Sequence, residues 1–209
     1  MERKPNTRVQ QTRERLRNAA HRLFLQQGYL GTSTDAILAE AGVSSKETLY
    51  RHYATKEELF VDVLSHLTLK QPGFAAQFST LPTAQDLPAL RQALTRFAHE
   101  ILIMMSQPDY LAMLRIIIAE QPRFPQLGAM FFSTVPQRGI AIIMDLLQGA
   151  REQQIIAEVD FDALARALLG GLLTYALTSL VFTGEQAQPP GLDRADALVE
   201  IVMRALTPP

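Results

Sequence analysis

Proline and a three-to-four-residue apolar rhythm set the fold of this chain. From Leu87 to Leu206 apolar side chains recur at helical spacing, and Pro108, Pro122, Pro125, Pro136 and Pro189-Pro190 fall at or near each break in that rhythm. The period is that of one helix face, and proline stops a helix because it lacks an N–H and clashes with the preceding turn. The pattern predicts helices over roughly 87–106, 109–121, 125–134, 137–153, 161–182 and 192–206. No stretch alternates as a strand would, and no repeat is visible. The expected class is all-α.

The first seventy residues show the same rhythm in shorter pieces. Leu16, Ala19, Ala20, Leu23 and Phe24 mark one face of a helix from Thr7 to Gln27, with Thr7 and Gln10 spaced as a capping box and Gly28 as a stop. A second helix spans about Thr34 to Ala41, with Ser33 as N-cap and Gly42 as the left-handed residue that ends it. A third is expected from after Ser44 to near Tyr53. A fourth follows Thr55, which forms a capping box with Glu58, and carries Leu59, Val63 and Leu67 on one side. Gln71-Pro72-Gly73 breaks it, and Gly73 to Asp86 lacks periodicity, as a linker does.

Two short helices joined by a tight glycine turn form a helix-turn-helix. At about 100° per residue, Leu49 and Tyr53 share a core face that Val43 leads into, while Glu47 and Arg51 point outward, flanked by Thr48 and Tyr50. Carboxylate, guanidinium, hydroxyl and phenol are groups that bond base edges and phosphates in a major groove. Ser45 and Lys46 stand at the N-terminal end, where a recognition helix meets bases and the helix dipole favours anions. Each has a structural alternative. Glu47, three residues after Ser44, also fits a capping box; Tyr50 can drape over the surface; His52 can serve the helix end; Thr34 can be a neighbour of the cap. Lys56 in a first helix turn opposes the dipole, which points to a compensating anion such as phosphate.

Net charge is only −1, but its distribution is uneven. Residues 1–60 hold ten Lys/Arg against seven Asp/Glu, and residues 1–22 alone hold seven against two. A basic end on an otherwise acidic chain suits contact with a polyanion, and equally a solvated terminus. With no cysteine, disulfides and thiolate metal sites are excluded. The basic N-terminus is not followed by an apolar signal segment, and no apolar run approaches the ~18–20 uncharged residues of a membrane span. The expectation is a cytoplasmic protein with no membrane association.

Residues 13–60 closely resemble the DNA-binding domain of the tetracycline-repressor (TetR) family. The run Ala20 to Tyr29, the pair Thr32-Ser33 with Ile37, Ala41-Gly42-Val43-Ser44, Thr48-Leu49-Tyr50, His52-Tyr53 and Lys56-Glu57 carry the likeness. Ala119 to Phe132 resembles a segment of the AefR-like C-terminal subgroup. One departure stands out: GVSSKETLY has one residue more between the turn glycine and Leu49-Tyr50 than the family's usual G-V-S-K-x-T-L-Y. Either the turn is longer or the third helix begins one residue earlier, and the Ser44/Glu47 spacing favours the second. The resemblance implies that Lys46, Glu47 and Thr48 read bases and that Thr34, Tyr50, His52 and Lys56 hold phosphates, with Ser45 and Arg51 beside them. Asp35 stands where the family sometimes has a base-reading side chain; as an anion it better supports its helix start. Arg3, Lys4 and Arg8 form an arm for neighbouring phosphates or a minor groove.

The division expected is a DNA-binding domain at 1–55, with the arm at 1–8, and a ligand-binding and dimerisation domain at 56–209 linked by a helix at 56–70. The helix at 161–182 is apolar nearly all round and must be covered on several sides. The resemblance implies a homodimer through 161–182 and 192–206, with Gly170-Gly171 serving close helix approach, and a palindromic operator. Phe97, Met104, Met105, Tyr110, Met113 and Phe131 are candidates for an apolar effector pocket, although core packing explains each singly. Arg115, Glu120 and His99 are the polar groups placed to orient a ligand. No nucleophile elbow, P-loop, dinucleotide fingerprint or metal motif is present, and the four histidines are scattered; only Asp62 and His66, four apart, share a helix face. No enzyme, cofactor or metal is expected. The function expected is a ligand-released homodimeric repressor; the alternative is a helical interaction module that has lost specific DNA binding.

Overall fold

The structure, a computed structural model, describes residues 7–67 and 84–206. These residues form ten α-helices and one short 3-10 turn at Gly184–Gln186, with no strand among them: α1 (Thr7–Gly31), α2 (Thr34–Ala41), α3 (Lys46–His52), α4 (Lys56–Leu67), α5 (Leu87–Met105), α6 (Pro108–Glu120), α7 (Pro125–Thr134), α8 (Pro136–Glu152), α9 (Phe161–Leu180) and α10 (Asp193–Leu206). The helices expected after Leu87 are all present, with ends within two residues of the expected ranges. The break at Gln71-Pro72-Gly73, most of the expected linker, the side chain of Thr7 and the arm residues Arg3 and Lys4 lie outside the described residues. Gly28 breaks the helical path of α1 where a stop was expected. It adopts φ 72° and ψ 176°, a conformation closed to most side chains, and a separate helical turn to Gly31 follows the kink.

The described residues form two compact units. The first comprises residues 7–67 together with Ala112–Thr134; the second comprises residues 84–111 and 135–206. In the first unit α1 packs on α2 and α4, α2 on α3, and α4 on α7. Leu16, Phe24, Tyr29, Ile37, Leu49, Leu59, Phe60 and Leu64 are almost entirely buried in its core, and Met113, Ile117 and Leu127 belong to the same cluster. Its centre is aromatic. The ring of Phe60 stands edge-on to Phe24 and Tyr29 at 4.9 and 5.3 Å, and Phe124 meets Tyr29 edge-on at 5.1 Å.

In the second unit α9 packs on α5, α8 and α10, and α5 packs on α8 and α10. Asp86 caps α5 by accepting from the Ala89 N–H at 2.7 Å, and Asp160 caps α9 through the Ala163 N–H at 2.9 Å. Gly171 is where α9 and α10 come close: a Cβ there would lie 2.8 Å from a methyl of Leu198, whereas one on Gly170 would meet nothing within 4 Å. Close approach therefore needs the second glycine alone. Of the apolar surface of α9, the stripe Ala165, Leu168, Leu172 and Ala176 is buried, while Leu164, Leu169, Leu173 and Leu177 are only partly covered. By length and composition α9, like the stretch Pro125–Glu152, is apolar enough to cross a membrane, contrary to the expectation that no segment would approach this.

Candidate nucleic-acid interface

The turn between α2 and α3 is built from backbone bonds and one arginine. Ser33 accepts from the Ala36 N–H at 3.0 Å and opens α2. At the other end Gly42 takes φ 60° and ψ 40°, its N–H donates to Ala39 O at 3.1 Å, and the Val43 N–H donates to Leu38 O at 2.9 Å. This pair of bonds is the Schellman closure, and it turns Val43 onto the core. Arg15 Nη2, from α1, donates to the carbonyls of Ala41 and Gly42 at 2.6 and 2.8 Å. A Cβ at position 42 would lie 2.8 Å from that nitrogen, so the arginine tip would have to shift, but it is the positive φ that calls for glycine.

The extra residue goes into the turn. Helix α3 starts at Lys46 after an extended Ser45, which makes no side-chain cap bond. The Ser44/Glu47 box does not form; Glu47 instead accepts from Arg51 at 3.0 Å across one helical turn. Helix α3 then presents the expected two faces. Leu49 and the following Tyr53 are buried, while Lys46, Glu47, Tyr50 and Arg51 are exposed and Ser45, Thr48 and His52 are half-buried. Thr34, half-buried, opens α2 next to Asp35, and Asp35 holds the Lys46 ammonium at 2.8 Å. Arg8 is exposed on the first turn of α1. Burial, then the nearby Arg13 and Arg51 guanidinium groups, lower the pKa of His52, so the ring is neutral at pH 7.

Two residues are held differently from the sequence expectation. Lys56 is half-buried, and its ammonium donates to Tyr29 O at 2.9 Å and Thr32 O at 3.0 Å while lying 4.0 Å from the centre of the Tyr29 ring. Two carbonyls and an aromatic face supply the negative partner expected from its position at a helix start. Asp62 does not share an outer face with His66. It is 6% exposed and accepts from the Tyr53 hydroxyl at 2.8 Å and from Arg13 at 3.1 Å, with Arg17 at 3.8 Å. Arg13 also donates to the Tyr53 oxygen at 3.3 Å and sits over its ring. This cluster ties α1, the end of α3 and α4 together, which fixes where the exposed face of α3 points. Its partners are 9 to 49 residues apart, so no local spacing could reveal it.

The effector-pocket candidates are divided between the two units. Phe97, Met104, Met105 and Tyr110 are buried in the second unit, and burial pushes the Tyr110 phenol up to about 12. Met113 and Phe131 instead pack with the core of the first unit. His99 pairs with Asp196 at 2.6 Å between α5 and α10, whereas Arg115 is exposed. One carboxylate oxygen of Glu120 is buried without a hydrogen-bond partner. Among the described residues, no group of three or more His, Asp and Glu could hold a metal ion.

A three-helix unit whose last short helix is anchored by its apolar side and offers polar side chains outward is a helix-turn-helix DNA-binding regulator. Residues 16–63 match the family of bacterial regulatory proteins called tetR, and residues 92–206 match the C-terminal domain of AefR-like transcriptional repressors. The chain belongs to the TetR family. Among solved structures it is similar to a putative TetR-family transcriptional regulator from Mesorhizobium loti, at 27% identity and a TM-score of 0.70 over 96% of this chain and 98% of that one. The flavonoid-responsive regulator FrrA is 29% identical, with a TM-score of 0.69 over 94% and 97%. The TetR regulator TylP from Streptomyces fradiae is 26% identical, with a TM-score of 0.63 over 97% and 89%. No curated protein sequence matches the chain.

Proposed function

We propose that this regulator is a cytoplasmic homodimeric repressor that binds a palindromic operator and leaves it when a small apolar or amphipathic effector binds. The observation that carries the DNA-reading part is the division of α3. Leu49 and Tyr53 are fixed in the core, and Lys46, Glu47, Tyr50 and Arg51 all stand outward on a helix of only seven residues. Lys46, Glu47 and Thr48 read bases; Thr34, Tyr50 and His52 approach phosphates, with Ser45 and Arg51 at the margins. The N–H that Lys56 does not spend on Tyr29 and Thr32 is available to a phosphate.

Dimerisation is supported by the half-covered apolar flank of α9, which a second copy would cover through α9 and α10 in an isologous interface. The likeness of residues 92–206 to an AefR-like repressor domain supports repression. Phe97, Met104, Met105 and Tyr110 form the effector-binding set within the second unit. The flavonoid response of FrrA supports a flat aromatic effector. Release requires the effector to prefer a conformation in which the two α3 helices no longer match successive major grooves.

The test is selection of bound fragments from the source genome by purified protein, repeated in moderate salt, with sedimentation to give the stoichiometry. One palindromic site occupied by a dimer is the expected result. DNA bound without preference and lost as salt rises would refute sequence-specific regulation and favour an interaction module.

A further inference from the structure

The face of α3 holds its two cations in ion pairs of its own. Lys46 Nζ lies 2.8 Å from one carboxylate oxygen of Asp35 and 3.0 Å from the other, across the turn between α2 and α3. Arg51 Nη2 lies 3.0 Å from Glu47. All four side chains are more than half exposed, so neither pair is explained by core stability, since exposed pairs contribute little. The Asp35 carboxylate also raises the Lys46 pKa, by hydrogen bond and by charge, which keeps the ammonium charged.

We infer that Asp35 is a specificity-determining positioning residue: it orients the Lys46 ammonium for a base edge and screens its charge from phosphates. This rests on the DNA-reading role proposed above. An ammonium has three N–H donors on a flexible four-carbon stem. Unheld, it is a mobile point charge that lies down on whichever phosphate is nearest, on any sequence. Held by Asp35, it keeps a fixed position and a free donor, and its charge is locally cancelled. Purine acceptors, guanine O6 and N7 above all, then become its best remaining partners in the groove. The second pair, Glu47 with Arg51, leaves the face as a whole without net charge, so attraction to arbitrary DNA is weak and discrimination comes from fit.

Removing the Asp35 charge should therefore move two quantities in opposite directions. Asp35→Asn keeps the shape and the helix-start chemistry of the side chain. It should strengthen binding to random duplex DNA and steepen the dependence of log K on log salt by about 1.8, the effect of one further cation on phosphate in each subunit of the dimer. It should also flatten the base preference at one position in each half-site, lowering the ratio of specific to random binding by about fivefold or more. In a Lys46→Ala background the same substitution should change neither quantity, because Asp35 acts through Lys46.

The experiment is selection of preferred sites, followed by affinity titrations at several salt concentrations on the selected site and on random duplex. It uses the full-length wild type, Asp35→Asn, Lys46→Ala and the double variant, each checked for wild-type helicity. A wild type that selects a site and an Asp35→Asn variant with an unchanged ratio would overturn this inference and leave the parent function intact. The same holds if Asp35→Asn acts equally in both backgrounds. A wild type that selects no site would overturn the DNA-reading proposal and this inference with it.

Discussion

Lys56→Met replaces an ammonium by a methyl group of similar reach. It removes two hydrogen bonds, to Tyr29 O and Thr32 O, and the cation lying 4.0 Å from the Tyr29 ring centre. A hydrogen bond from a charged donor contributes roughly 1.5–3 kcal/mol net, and an ammonium over an aromatic face about 0.5–2 kcal/mol. Against this stands the desolvation that lowers the Lys56 pKa, together with the access of water to a half-buried site. A net loss of about 2 kcal/mol is expected, centred on the loop from Gly28 to Ser33. Because the chain contains two compact units, a global unfolding midpoint would blend them. Amide hydrogen exchange reports the opening of each helix separately. The expected result is exchange about thirty-fold faster at the end of α1 and the start of α2, with α8 to α10 unchanged, since about 1.4 kcal/mol is a factor of ten. Unchanged exchange, combined with a salt slope for DNA binding smaller by about 1.8 for the dimer, would refute the reasoning and place the ammonium on phosphate.

Further outcomes follow from the same geometry. Gly42→Ala must adopt φ near 60° and displace Arg15 from two carbonyls, so it should destabilise the first unit by about 2 kcal/mol or more, read as lost amide protection in α2. Asp62→Ala leaves Arg13, Arg17 and the Tyr53 hydroxyl without their shared acceptor; a loss of about 3 kcal/mol is expected in the same assay, with DNA affinity falling on all sequences. His52 has a folded pKa below the ordinary 6.5, and a neighbouring phosphate would raise it, so binding takes up a proton. Affinity should rise as pH falls from about 7.5 through 6.5, by at most about tenfold per unit for each His52 of the dimer, and His52→Gln should lack this dependence in anisotropy titrations.

What could be inferred in advance was whatever depends on neighbours along the chain. The helix rhythm, the proline breaks, the Gly42 closure and the buried side of α3 involve residues two to seven apart, and all are present. The Thr55/Glu58 box is nearly as expected: the Glu58 N–H reaches Thr55 Oγ1, but the carboxylate accepts from Ala54, one residue earlier. The start of α3 was misplaced because two local options compete for Glu47, and pairing with Arg51 prevails over the cap. Lys56 was visible as an anomaly against the dipole, but its partners come from 24 and 27 residues away. Asp62 was hidden for the same reason. The joining of residues 112–134 to the first unit rests on tertiary packing that no periodicity encodes.

That joining has a consequence for how the protein comes into being. The reading unit is not contiguous in the chain: Met113, Ile117, Phe124 and Leu127 reach a core whose other members end at Leu64 and Leu67. While the ribosome is still adding residues 68–111, the helix-turn-helix is complete in sequence but open on one side. At about 5–20 residues per second, the interval from Leu67 to Thr134 lasts roughly 3–13 s. For that time Tyr29 lacks the edge-on cover of Phe124, although the Arg13, Tyr53 and Asp62 cluster that directs α3 is already made. The core beneath the helix-turn-helix is thus closed only after part of the second half has been made, so a chain cut short before residue 112 would carry that core with one side uncovered.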